Sequence, residues 1–131
     1  MQQPAADKAE SVLIIDDNEE LLDVVGRGLR ALGYRVRTAK SGEEGLRAAR
    51  EEHFDHAILD IAMYPLDGIY CLLTLKRISP QTRCIMMTGA PRVPEERTCL
   101  ALGASAYLRK PFQLSVLVQH LRQPSDEQSR S

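Results

Sequence analysis

Val12-Leu13-Ile14-Ile15-Asp16-Asp17-Asn18 is a four-residue apolar run, rich in β-branched side chains, that ends abruptly in a polar cluster. A continuous run bounded in this way is the pattern of a strand buried on both faces, since a strand with one wet face alternates. Such a strand needs cover on each side, and the next segment offers some. Leu21, Leu22, Val25, Leu29 and Leu32 recur at helical spacing, and Gly33 is placed to end that helix.

Apolar runs and amphipathic stretches keep alternating from there. Tyr34 to Ala39 alternates apolar and polar, as a strand near a sheet edge does, and Ser41 with Glu44 forms a capping box for a second helix through about Arg50. His56-Ala57-Ile58-Leu59 reads as a third strand running into Asp60. A loop, Ile61 to Leu66, then leads to Asp67-Gly68 and a helix carrying Leu72, Leu73, Leu75, Lys76 and Ile78, punctuated by Pro80. Cys84-Ile85-Met86-Met87 is a fourth buried strand ending at Thr88-Gly89-Ala90. Pro94 suits a first helical turn, and the helix after it should stop near Gly103. Ser105 to Arg109 gives a fifth strand, Lys110-Pro111 a turn, and Phe112 to Arg122 a last helix.

Five strand–helix units in this order predict an α/β fold: one parallel sheet covered on both faces by right-handed crossovers. Residues 11–122 make the folded domain, with a polar leader at 1–10 and a polar tail at 123–131 that is either a terminus or the start of a linker. Open parallel sheets carry their sites at the carboxyl ends of the strands. Asp16 and Asp17, Asp60, Thr88 and Lys110 all fall at such ends, so they should meet on one rim.

Composition narrows the possible functions. The 131 residues suffice for one domain, and a net charge of −1 argues against nucleic acid as a direct ligand, which wants a basic excess. No apolar run approaches the roughly 18–20 residues of a membrane span, and no signal sequence opens the chain, so a cytoplasmic location is expected. Cys71, Cys84 and Cys99 lack zinc-site spacing and read as free, buried thiols. His53, His56 and His120 are scattered and read as structural or solvated, and Met63, Met86 and Met87 as core filler.

Three carboxylates gathered on one rim repel one another unless a cation sits among them. Mg²⁺ (or Mn²⁺) fits, being an oxygen-seeking ion typically held by one or two carboxylates plus phosphate oxygens. Thr88 adds a hydroxyl and Lys110 a positive charge. Together they describe a phosphoryl site in which a carboxylate attacks phosphorus while metal and lysine neutralise its oxygens. Asp60 follows a buried run and precedes a loop, which suits the nucleophile. Asp16 and Asp17 are adjacent, and in an extended backbone they point to opposite faces, so one would reach the metal directly and the other through water.

The segments VLIIDDNEE, AILDIAMYPLDGI, CIMMTGA and AYLRKPF, in this order and with these gaps, resemble the receiver domains of two-component response regulators over Ser11 to about Arg122. The resemblance implies a doubly wound (βα)5 sandwich with strand order 2-1-3-4-5. It implies a signalling phospho-acceptor rather than an enzyme acting on a separate substrate, with a histidine kinase or phosphotransfer protein donating phosphate to Asp60. The metal would be held by Asp17, Asp60 and the backbone carbonyl of Ala62, with Asp16 in the outer shell. Thr88 and Lys110 would bind the phosphoryl oxygens, Tyr107 would be an aromatic switch, and the Lys110-Pro111 bond would be cis. Output would run through the fourth helix, fifth strand and fifth helix, toward a partner protein or a second copy. The last helix is more apolar than one buried stripe requires, which suits either such a contact or generous core packing.

One loop departs from the family pattern: Tyr64 separates Met63 from Pro65, while the spacing from Asp60 to Asp67-Gly68 is kept. Ala62 and Ala90 cannot hydrogen-bond an attacking water through their side chains, and Gly89 leaves room at the phosphate, so slow to moderate self-dephosphorylation is expected. Two other classes share some of these features. An aspartyl-phosphate hydrolase of the haloacid-dehalogenase type wants a second acid two residues beyond the nucleophile, where this chain has Ala62. A phosphate-independent receiver-like scaffold would not need the rim at all.

Overall fold

The computed structural model describes residues 9–123. Five strands form one parallel sheet: β1 (Ser11–Ile15), β2 (Arg35–Ala39), β3 (His56–Asp60), β4 (Arg83–Thr88) and β5 (Ala106–Arg109). Their spatial order is β2-β1-β3-β4-β5, the doubly wound order expected from the resemblance. Helices α1 (Glu19–Ala31), α2 (Gly42–Glu51), α3 (Gly68–Ile78), α4 (Val93–Ala101) and α5 (Leu114–Leu121) make the crossovers.

The continuous apolar runs divide cleanly between the two faces, because alternate strand residues point oppositely. Val12, Ile14, Ile58, Ile85 and Met87 pack with Leu22, Val25 and Leu29 of α1 and Leu117, Val118 and Leu121 of α5. Leu13, Ile15, Leu59 and Met86 pack with α2, α3 and α4 through residues such as Leu46, Leu72, Leu75 and Cys99. β2 lies at the sheet edge and is only partly buried, as its alternation predicts.

Caps fix the helix starts. Leu21 N–H donates to Asn18 Oδ1 at 3.1 Å, Glu44 N–H to Ser41 Oγ at 3.1 Å, and Tyr70 N–H to Asp67 Oδ1 at 2.9 Å. The Ser41–Glu44 box differs slightly from expectation: the Glu44 carboxylate reaches back to the N–H of Lys40, one residue before the cap. Gly33 and Gly103 end α1 and α4 with φ of 100° and 111°, a left-handed conformation that residues with a Cβ avoid.

Several expectations shift. The last helix begins at Leu114, not Phe112, and its surplus apolar residues serve mostly the core, since Phe112 and Leu114 pack against it and Val116 is exposed. On α3, Leu73 and Ile78 face outward. Ala9 and Glu10, read above as leader, are held: Arg35 N–H donates to Glu10 O at 2.9 Å, and the buried His56 pairs through Nε2 with Glu10 Oε1 at 2.8 Å. The rest of the leader (residues 1–8), and the tail from 124 onward, lie outside the described residues.

The three cysteines are free and buried. Burial pushes the Cys71 and Cys84 thiols up to about 11 and raises Cys99 as well, with Asp67 adding to the effect at Cys71. Since the thiolate is the reactive form, the folded protein at pH 8 should release thionitrobenzoate from a disulfide reagent at least ~10-fold more slowly than in urea. Fast labelling of the native state would contradict this burial.

Candidate functional site

β1, β3, β4 and β5 end on one rim of the sheet, and each delivers a polar residue just where its apolar run stops. Asp16 follows β1, Asp60 closes β3, Thr88 closes β4, and Lys110 follows β5. Of the residues expected on this rim, Asp16, Asp17, Asp60 and Lys110 come together, while Thr88 lies at the end of the neighbouring strand. Carboxylate oxygens of Asp16, Asp17 and Asp60 lie within 4.8 Å of one another, with Asp16 and Asp60 buried and Asp17 exposed. Lys110 Nζ stands 2.8 Å from Asp16 Oδ2 and 3.5 Å from Asp60 Oδ1.

Asp16 and Asp17 do not point to opposite faces as an extended backbone would require. The strand ends at Ile15, the chain bends at Asp17, and both carboxylates come to the same cluster. Asp16 is tied locally as well, because Asn18 N–H donates to its Oδ1 at 2.9 Å. Its other oxygen, Oδ2, is buried without a well-directed hydrogen bond, and its contact with Lys110 is an ion pair.

One lysine among three acids leaves the rim short of positive charge. Burial raises the Asp60 pKa above the ordinary carboxylate value and the Asp16 charge raises it further, which Lys110 and the Ala62 N–H offset only in part. Burial pulls the Lys110 pKa down, but its close ion-pair contact with Asp16 and the charges of Asp16 and Asp60 outweigh this, so the ammonium is held firmly protonated. Ala62 N–H reaches Asp60 Oδ1 at 3.3 Å. An all-oxygen donor set with an under-neutralised buried carboxylate pair suits a hard divalent cation, so the residues present fit Mg²⁺.

Thr88 is buried, and its Oγ1 accepts the Ala90 N–H at 3.0 Å. Tyr107, on β5, sits half-buried; its phenol donates to Glu95 Oε1 at 2.7 Å and accepts the Arg92 N–H at 3.1 Å. Glu95 escaped the sequence reading, because a glutamate in a first helical turn looks like ordinary dipole complementation. Both Lys110-Pro111 and Tyr64-Pro65 are cis. Tyr64 stands 90% exposed in the loop beyond Asp60.

Residues 12–122 match the family described as the response regulator receiver domain. The chain belongs to that family. Receiver domains are signalling phospho-acceptors rather than enzymes with a separate substrate. One relative, the transcriptional regulatory protein PrrA of Mycobacterium tuberculosis, is 36% identical over 111 residues, covering 85% of this chain and 48% of that protein. The chain thus spans about half the length of that relative. A receiver domain protein (CheY-like) from Methanospirillum hungatei superposes with a TM-score of 0.86 at 30% identity, covering 93% of this chain and 98% of that one. A response regulator from Burkholderia pseudomallei, solved with a phosphorylated aspartic acid, a calcium ion and citrate, gives 0.83 at 28% identity, covering 92% and 71%. Among the described residues of this receiver, no helix is long and apolar enough to cross a membrane.

Proposed function

We propose that this receiver takes a phosphoryl group on Asp60 from a histidine kinase or histidine phosphotransfer protein. The observation that carries the reading is the buried Asp60 carboxylate with Lys110 Nζ 3.5 Å from its Oδ1 and two further acids within 4.8 Å. A phosphorylated aspartate in the Burkholderia pseudomallei relative supports it. The ionised Asp60 attacks phosphorus, forming a P–O bond as the bond to the donor nitrogen (or, with a small acyl phosphate, oxygen) breaks. Lys110 neutralises a phosphoryl oxygen without needing to change protonation state, and the Thr88 hydroxyl, whose proton the Ala90 N–H bond does not use, donates to another.

Asp17, Asp60 and the Ala62 carbonyl, with Asp16 in support, are the groups that would hold Mg²⁺ or Mn²⁺. When bound, the ion supplies the positive charge that the rim lacks. Neither Ala62 nor Ala90 offers a side-chain group to orient water, so the acyl phosphate outlives seconds. The domain is assigned to residues 11–122.

Output is assigned to the surface of α4, β5 and α5, where Tyr107 ties β5 to α4 and where Val93, Leu100 and Val116 are exposed for a partner protein or a second copy. A net charge of −1 keeps direct nucleic-acid binding out of this reading, and a cytoplasmic location accords with a kinase-fed switch.

Incubation with Mg²⁺ and acetyl phosphate should add a single phosphate of about 80 Da in intact mass, on the peptide containing Asp60. A chelator should suppress the adduct and restored Mg²⁺ should recover it. An unmodified chain under these conditions, or an adduct on another residue, overturns the assignment.

A further inference from the structure

Helix α4 is thinly anchored. Of its nine residues only Cys99 is buried, and its N-cap residue, Arg92, makes no side-chain cap hydrogen bond. Its first turn is instead tied to β5 by Tyr107, whose phenol donates to Glu95 Oε1 at 2.7 Å while accepting the Arg92 N–H at 3.1 Å. The ring packs against the core cluster that contains Cys99 and Ala104, so this tyrosine is held along α4. Swung out to solvent it would lose both bonds together with that packing. A carboxylate acceptor makes the phenol bond charge-assisted, hence stronger than a neutral one.

We propose that Glu95 is a positioning residue of the switch: its carboxylate holds the Tyr107 ring against α4 and so biases the rim toward the arrangement that accepts a phosphoryl group. This rests on Asp60 as the acceptor proposed above and on Tyr107 as the aromatic switch that the family resemblance implies. The ring and the Thr88 side chain share the end of the sheet, since Tyr107 pairs with Met86 and Thr88 with Arg109 across β4 and β5. A ring already fixed against α4 removes one ordering step from the response. A population shift of this kind reads out as affinity for whatever occupies the phosphoryl position.

The test uses beryllofluoride with saturating Mg²⁺ as a stable phosphoryl mimic, on the whole chain labelled with ¹³C at tyrosine Cζ. Glu95→Ala should weaken beryllofluoride binding roughly 5-fold, the scale of ordinary coupling between sites. Glu95→Gln, whose amide oxygen still accepts the phenol proton, should recover most of the loss. Tyr107→Phe should weaken binding to a similar extent, and Glu95→Ala added to it should change nothing further. Glu95 raises the Tyr107 pKa, after burial and against the Arg92 N–H, so Glu95→Ala should also make that phenol titrate lower. The labelled tyrosine spectrum shows directly that each variant is folded.

Unchanged or tighter binding by Glu95→Ala, or its full effect persisting in the Tyr107→Phe background, overturns the role of Glu95 while leaving the acceptor site standing. If the wild type fails to bind beryllofluoride although the phenol still responds to Glu95→Ala, the acceptor reading fails and this proposal falls with it.

Discussion

Asp60→Asn is expected to abolish the phosphate adduct and, in chelator at pH 7, to make the fold more stable than the wild type. Removal of the nucleophilic carboxylate accounts for the first effect. The second follows from electrostatics. Asp60 is buried beside the fully buried Asp16, and burial first and the Asp16 charge second raise its pKa in the folded state. A carboxyl group whose folded pKa exceeds its unfolded value ionises more readily in the unfolded chain, so deprotonation favours unfolding. That cost is absent below the ordinary carboxylate range, where both states are protonated. It appears as pH rises past that value, and it is complete once pH exceeds the raised folded pKa.

Asparagine keeps the shape and removes the charge, so the variant should gain about 1 kcal/mol at neutral pH, or ~3–6 °C in Tm for a domain of this size. The gain should shrink toward zero as the pH is lowered to about 4. Adding Mg²⁺ should narrow the gap from the other side, because a ligand that binds only the folded state stabilises it by mass action and the wild type keeps the full donor set. Urea titrations at pH 7 and pH 4, with and without Mg²⁺, measure all of this. An Asp60→Asn protein less stable than wild type at pH 7 in chelator would mean that Lys110 neutralises the rim by itself.

The parts of this molecule legible in its sequence are those set by short-range periodicity. Val12 to Ile15, His56 to Leu59 and Cys84 to Met87 are buried strands because continuous apolar runs can be buried only between two covering layers, and the structure places all three there. The rim followed from topology alone, since parallel strands must all end on the same side. What escaped depends on contacts between segments distant in sequence. Glu10 looked like leader until His56, 46 residues away, supplied a partner. Glu95 carries no signal of its own in the sequence, and only the fold brings Tyr107, 12 residues on, to it. Leu73 and Ile78 carry core-like side chains, yet the rotation of α3 is fixed by Cys71, Leu72 and Leu75, which turns the other two outward. Asp17 was misdirected for a different reason: the extended backbone assumed for it ends two residues earlier, at Ile15.

Gly68→Ala should cost about 3 kcal/mol, near the upper end of what inserting one methyl group into a packed site usually costs. Gly68 opens α3, held by its N–H bond to Ile61 O at 2.9 Å and by the Asp67 cap that precedes it. A Cβ there would fall on the carbonyl oxygen of Asp60 and lie 2.7 Å from Ile61 Cα and 2.9 Å from the Asp60 carbonyl carbon. These are backbone atoms of the acceptor residue and its neighbour, so no side-chain rotation relieves the contact. Either α3 lifts off the sheet or the end of β3 moves, and the second displaces the carboxylate that must line up with phosphorus. Stability and phosphorylation by acetyl phosphate should therefore fall together. A cost of ~3 kcal/mol is a large share of the 5–15 kcal/mol that holds such a domain folded. Gly89→Ala provides the contrast, because a Cβ at that exposed position meets nothing within 4 Å, and its stability should stay within about 0.5 kcal/mol of wild type. If both variants unfolded at the same urea concentration as the wild type, the close approach of α3 to the acceptor backbone would not be what fixes Asp60 in place.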